Sequence, residues 1–116
     1  MTDASEDAVR GYYDAIDAGD YEGFADLLAP DVVHERPDRT IEGRETLVGF
    51  MRDDRPNKDT SHDIGAVYAD GPGAEVAVRG RLRDADGAPM FAFVDVFEFR
   101  RENADETITR IRTYTQ

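Results

Sequence analysis

Residues 91–99 alternate without a break: Phe91-Ala92-Phe93-Val94-Asp95-Val96-Phe97-Glu98-Phe99. Side chains two apart on an extended strand share a face, so this stretch fits a strand and not a helix. One face carries Phe91, Phe93, Phe97 and Phe99 and is interrupted once, by the carboxylate of Asp95. The other face carries Ala92, Val94 and Val96. A strand that is apolar on both sides needs a cover on each. An ionised carboxylate in an apolar wall must be paired, hydrogen-bonded or neutralised by a raised pKa, so Asp95 is the first candidate for a functional group.

The segments before this strand follow a different period. Val9, Tyr12, Tyr13 and Ile16 recur at helical spacing, after Asp3 and Glu6 in capping-box-like spacing and before the helix stop Gly19. Asp20 is placed to cap a second short helix with Phe24, Leu27 and Leu28 on its apolar face, closed by Pro30. Val32 and Val33 predict a short strand over residues 31–36, halted by Pro37. A third helix is predicted over residues 44–54, with Leu47, Phe50 and Met51 on its buried side and Pro56 beyond its end. From Thr60 the period becomes 2. Strands are predicted over 62–69, 74–83, 90–101 and 107–115, separated by turn signals at Gly71-Pro72-Gly73, Asp86-Gly87 and Asn103-Ala104-Asp105. Helices first and sequential hairpins afterwards make residues 1–116 one α+β domain. Three helices can cover one face of such a sheet, which predicts a homodimer through the outer face.

Composition narrows the partners. Twenty-six acidic residues face 14 basic ones, for a net charge of -12. A surface of that sign repels phosphate backbones, so nucleic acid is not expected as a partner. Thirteen of the basic residues are arginine and only Lys58 is lysine. Acid-rich, lysine-poor composition resembles proteins of salt-accumulating halophiles, although an arginine-rich, GC-rich genome gives the same bias. No apolar run approaches the ~20 residues of a membrane helix. The acidic start, Met1 to Asp7, is unlike a signal peptide, so no membrane association and a cytoplasmic location are expected. Cysteine is absent, which removes disulfides and thiolate chemistry and leaves the redox compartment open.

The stretch from Tyr12 through Ala18-Gly19-Asp20 to Phe24, followed by Leu27-Leu28-Ala29-Pro30-Asp31-Val32-Val33-His34-Glu35-Arg36-Pro37, resembles the nuclear transport factor 2-like (cystatin-like) superfamily. Within it the chain is most similar to the SnoaL-like polyketide cyclase and ketosteroid isomerase branch. The resemblance runs from about Ala8 to Tyr114 and rests on the order of elements more than on any one motif. It implies a cone-like curled antiparallel sheet packed on three N-terminal helices, with a pocket lined by the inner faces. In ketosteroid isomerase a tyrosine and a protonated aspartic acid form an oxyanion hole and a second aspartate is the base. Alignment on the Ala-Gly-Asp joint places Tyr12 at that tyrosine and Arg36 where the base should be, while matching Val94-Asp95-Val96-Phe97-Glu98-Phe99 to the corresponding strand places Asp95 at the acid. The base, and with it the steroid mechanism, does not carry over.

Asp95, Tyr12 and His34 are therefore the candidate catalytic residues, with His34 standing in for the missing base. Arg36 shares a strand face with Val32 and His34. It either pairs with Asp95, holds an anionic substrate group, or bonds Glu35 or Asp38 at the rim. Phe91, Phe93, Phe97 and Phe50 are the expected apolar contacts for a small, largely apolar molecule. His62, the second of two histidines, is expected to be exposed, and two isolated histidines make no metal site. No Gly-rich phosphate loop and no Ser-His-Asp order is present, and no cofactor is expected. Arg79, Arg81 and Arg83, with Arg110 and Arg112, read as a solvated face or a dimer contact. Three functions stay open: proton transfer next to a carbonyl (isomerisation, cyclisation or dehydration), ligand binding without turnover, and epoxide hydrolysis by an Asp-Arg-activated water. The last needs Arg36 against Asp95 and a second inward carboxylate.

Overall fold

A computed structural model describes residues 4–54, 59–69, 75–102 and 105–115. The elements follow in the order α1 (Ala4–Ala18), α2 (Tyr21–Asp26), β1 (Leu28–Glu35), β2 (Thr40–Glu42), α3 (Arg44–Gly49), β3 (Ser61–Ala69), β4 (Val76–Arg83), β5 (Pro89–Glu102) and β6 (Asp105–Thr115). Gly19, at a φ of 71°, lets the chain leave α1. The Asp20 side chain then accepts from the Gly23 backbone N–H at 3.0 Å and opens α2. The three helices and the sheet form an α+β cystatin-like domain.

Six strands make one sheet in the order β2-β1-β6-β5-β4-β3. From β3 to β6 the neighbours are antiparallel hairpins, as the turn spacing predicts. β1 lies parallel to β6, a pairing that the run of hairpins does not include. β2 also escapes the pattern, because three residues are too few to show a period. Pro30 does not close α2. That helix ends at Asp26 with Leu27 as its cap, and Pro30 lies inside β1, where the register against β6 slips between Leu28 and Val33. A proline fits there because the irregular stretch asks for no ladder hydrogen bond from it. The third helix widens into one π-helical turn over Phe50–Asp54. The Asp3 cap, Pro56 and the turns at Gly71-Pro72-Gly73 and Asn103-Ala104 lie outside the described residues.

The inner face of the sheet and the helices share one core. Val76, Val78, Phe97, Ile108 and Ile111 meet Val9, Ile16, Phe24 and Leu47, all buried. Gly80 on β4 is there for fit: a Cβ would come within 2.8 Å of the Phe93 ring and 2.6 Å of the Asp63 carbonyl oxygen. Its lack of a side chain lets the Phe93 ring lie against the β4 backbone. No helix among the described residues is long and apolar enough to cross a membrane.

Candidate active site

The domain holds a cavity of about 310 Å³, at the small end of ligand pockets. Its apolar wall is Ile16, Met51, Leu82, Met90, Phe91 and Phe93, and its polar wall is Tyr12, His34, Arg36, Thr60, His62, Asp95 and Thr113. Register explains the polar side. Asp95 on β5 lies directly opposite Thr113 on β6, while His34 on β1 faces Ile111, one inward position away. Three strands thus deliver three polar groups to one spot.

They form a continuous chain of short hydrogen bonds. The Tyr13 hydroxyl donates to Asp95 Oδ2 at 2.6 Å, and the Thr113 hydroxyl lies 2.6 Å from Asp95 Oδ1. Thr113 Oγ1 lies 2.7 Å from His34 Nε2. Asp95 is 6 % exposed and His34 2 %. His34 Nδ1 has no hydrogen-bond partner among the described residues. Burial raises the Asp95 carboxyl above its ordinary value, opposed by the Thr113 and Tyr13 hydroxyls and by the nearby His62 and Arg36. Burial and then the Arg36 charge press His34 down from 6.5 to about 3, with Asp38 acting the other way. His34 therefore stays a neutral imidazole. Tyr13 is pushed far up by burial and then by Asp95, so it stays a donor.

The bonding leaves two proton arrangements. With Asp95 ionised, Thr113 donates to it and accepts from His34 Nε2–H, leaving Nδ1 bare. With Asp95 protonated on Oδ1, Thr113 accepts from the acid and donates to Nε2, and Nδ1 carries the hydrogen. Both Asp95 oxygens are taken by hydroxyls, so its protonation is felt in the cavity through the hydrogen-bonding role of His34. Asp95, Thr113 and His34 act as one unit.

A second histidine completes the wall. Asp17, near the end of α1, holds His62 twice: Oδ1 lies 2.6 Å from Nδ1, and Oδ2 accepts the His62 backbone N–H at 2.9 Å. A carboxylate can only accept, so Nδ1 bears hydrogen and Nε2 is the atom left for proton exchange. The ring packs edge-on against Phe93 and tilted against Tyr13, 5.0 Å between centroids. His62 is thus a half-buried cavity residue and not the exposed one its place at a strand start suggests.

Several other expected positions differ. The tyrosine hydroxyl on Asp95 belongs to Tyr13, whereas Tyr12 lines the cavity while packing against Phe24 and Phe97. One residue turns a helix by about 100°, so an alignment that slips by one selects the wrong tyrosine. Phe97 is fully buried beneath both tyrosines and does not line the cavity. Phe50 also lies off its wall and carries the guanidinium groups of Arg36 and Arg39 on its ring, 5.0 and 5.1 Å from its centroid. Phe91 and Phe93 do line it. Arg36 does so too, but its nearest carboxylate is Asp38, not Asp95, at 3.7 Å. Asp95 is the one carboxylate on the wall among the described residues, so an Asp-Arg-activated water lacks both contacts it needs. No group of three or more metal-ligating side chains is assembled among the described residues.

The comparisons agree with this architecture. The family model for the SnoaL-like domain matches residues 9–111. The chain belongs to the SnoaL-like domain family. Among solved structures, this SnoaL-like domain is similar to a cystatin-like protein of unknown function from Methylobium petroleophilum, at a TM-score of 0.81 and 21 % identity over 97 % of this chain and 75 % of that one. It is similar to a candidate ketosteroid isomerase from Kribbella flavida, at 0.74 and 25 % over 97 % and 78 %. It is also similar to a candidate polyketide cyclase from Sinorhizobium meliloti, at 0.75 and 19 % over 97 % and 100 %. No curated protein matches the sequence.

The residues that sequence reasoning missed are Tyr13, Thr113, and Asp17 with His62. Thr113 had a faint signal, as an alternate residue in Thr107-Ile108-Thr109-Arg110-Ile111-Arg112-Thr113. The Asp17–His62 contact spans 45 positions and had none.

Proposed function

We propose that this SnoaL-like domain is an enzyme that moves a proton next to the carbonyl of a small, largely apolar molecule, in an isomerisation, cyclisation or dehydration. The observation that carries this reading is His62, held by Asp17, on the wall of the cavity that also holds the Asp95–Thr113–His34 chain. His62 Nε2 is the base, and Asp17 fixes its tautomer and holds the imidazolium that forms. When Asp95 is protonated, the neutral His34 on the cavity wall is the group that hydrogen-bonds the carbonyl oxygen as negative charge develops there. Tyr13 anchors Asp95 from behind, and Phe91, Phe93 and Leu82 exclude water from the apolar part of the substrate. The Kribbella flavida relative, described as a candidate ketosteroid isomerase, supports the same reaction class.

The test is exchange of α-protons of small cyclic ketones in deuterated water, followed by NMR. His62→Gln should slow exchange by about 10²–10⁴-fold, the usual contribution of a positioned general base. Asp17→Asn should slow it less while leaving ligand affinity in place. Exchange at the wild-type rate in His62→Gln would assign the base elsewhere. Binding without exchange by the intact chain would favour the non-catalytic reading.

A further inference from the structure

Arg36 is unlike most arginines of this chain. Seven others, Arg112 among them, hold a carboxylate oxygen within 3.1 Å. Acids outnumber bases 26 to 14, so a guanidinium beside a cavity with no carboxylate oxygen closer than 3.7 Å among the described residues needs a reason. Arg36 Nε is buried and makes no hydrogen bond among the described residues. Asp38 attracts it from 3.7 Å, a distance that Coulomb attraction spans but a hydrogen bond does not. Phe50 supports the guanidinium plane at 5.0 Å and satisfies none of its N–H groups. A buried donor without an acceptor is costly, and Arg36 lines the cavity, from which a ligand can bring one to its guanidinium.

His34 repeats the pattern two residues earlier on the same strand face, with Nδ1 buried and unpartnered among the described residues. His34 on β1 and Arg36 just past its end, each with one orphaned buried nitrogen, thus both line one small cavity. The ionisable groups around them are Tyr13 and the Asp17-bound His62 from α1 and β3, Asp95 from β5, and Asp38 beyond the end of β1. None of these gives Arg36 a hydrogen bond.

We infer that the cavity takes a small, largely apolar carboxylic acid as its anion, with the carboxylate on the Arg36 guanidinium and the reacting carbonyl oxygen next to it on the His34 side. The carbonyl half of this assignment rests on the proton-transfer reading, whereas the carboxylate half stands on Arg36 alone. Stacking on Phe50 pre-orients the guanidinium, so little side-chain freedom is lost when the anion arrives. The substrate class becomes an apolar keto acid or a close relative, and a plain ketone fills the cavity without satisfying Arg36.

Calorimetric binding of benzoate and of nitrobenzene, its neutral planar isostere, tests the assignment without turnover. Benzoate should bind about tenfold to hundredfold more tightly, the range of a hydrogen bond to a charged group. Arg36→Gln should erase that preference and Arg36→Lys should keep part of it. Unchanged nitrobenzene affinity in each variant reports an intact cavity. Equal affinity of the intact chain for both probes overturns the carboxylate site and leaves the proton-transfer reading standing. A benzoate preference that survives Arg36→Gln places the anion elsewhere and also overturns it. Failure of the intact chain to bind either probe removes the ligand cavity and both readings with it.

Discussion

The two faces of β1, β6 and β5 carry polar chains of nearly equal bond length and opposite character. Inward, Tyr13, Asp95, Thr113 and His34 are linked at 2.6–2.7 Å, and both Asp95 and His34 are less than a tenth exposed. Outward, Glu35, Arg110, Arg112 and Glu98 are linked at 2.6–3.0 Å, with Arg112 37 % and Glu98 35 % exposed. Distance does not separate the two sets; solvent does. Outside, water competes for every charge and restores any partner that is lost, so each pair contributes little. Inside, no water replaces a lost partner, so the same geometry shifts proton affinities and fixes which atom donates. The proposed chemistry sits where the bonds cannot be exchanged for water, whereas the outer network pairs two arginines with two glutamates at the solvent.

Thr113→Val tests the inner side hardest. The substitution keeps the shape and removes the hydroxyl, leaving Asp95 Oδ1 and His34 Nε2 buried without their shared partner. Two orphaned groups should cost about 2–4 kcal/mol in urea unfolding. Arg112→Ala, which breaks contacts just as short, should cost under ~1 kcal/mol. Equal losses would erase the contrast between the faces.

Acid should open the inner face next. His34 falls from 6.5 in the unfolded chain to about 3 when folded, so between those values the unfolded chain binds one more proton. Stability from this group is complete above pH 6.5 and is lost as pH falls, by about 1.4 kcal/mol per unit, or ~2 kcal/mol by pH 5. Asp95 works in the other sense. Its raised value means that its contribution is complete at low pH and lost as pH rises through the folded value. His34→Gln should flatten the acid limb of unfolding free energy against pH while leaving the alkaline limb in place. An acid limb as steep as in the parent chain would mean that His34 is protonated in the folded state.

The same contrast explains what the sequence disclosed. The period of residues 91–99 and the shift from helical spacing to alternation identify the strands and helices, because burial imposes those periods directly. The resemblance supplied the cavity and placed Asp95 within it. Alternation also marks Asp95 and His34 as inward residues, but it cannot say what they touch. Tyr12 and Tyr13 are neighbours about 1.5 Å apart along the helix axis and about 100° apart around it. Asp17 and His62 meet only because α1 crosses the start of β3. Phe97 has the same strand parity as Phe93, yet one is sealed under the helix and the other borders the cavity. Parity gives the face, whereas depth along the strand depends on where the helix ends.

The smallest effect carries the sharpest question about the outer face. Val94 and Tyr114 lie opposite each other across β5 and β6, exposed to 36 % and 55 %, next to the Arg112 network. The apolar outer side of β5 leads us to propose that a second copy of the chain covers this region. A partner subunit would strip water from Arg112, Glu98 and Glu35, turning pairs of small worth into pairs whose rupture leaves a buried charge. The loss caused by Arg112→Ala should therefore grow as protein concentration is raised through the association range found by sedimentation. It should also shrink toward zero at molar salt in dilute solution, where the screening length is about 3 Å. A loss that is small and independent of concentration would leave the outer face to solvent, and the contrast between the two faces would then hold for the chain as it works.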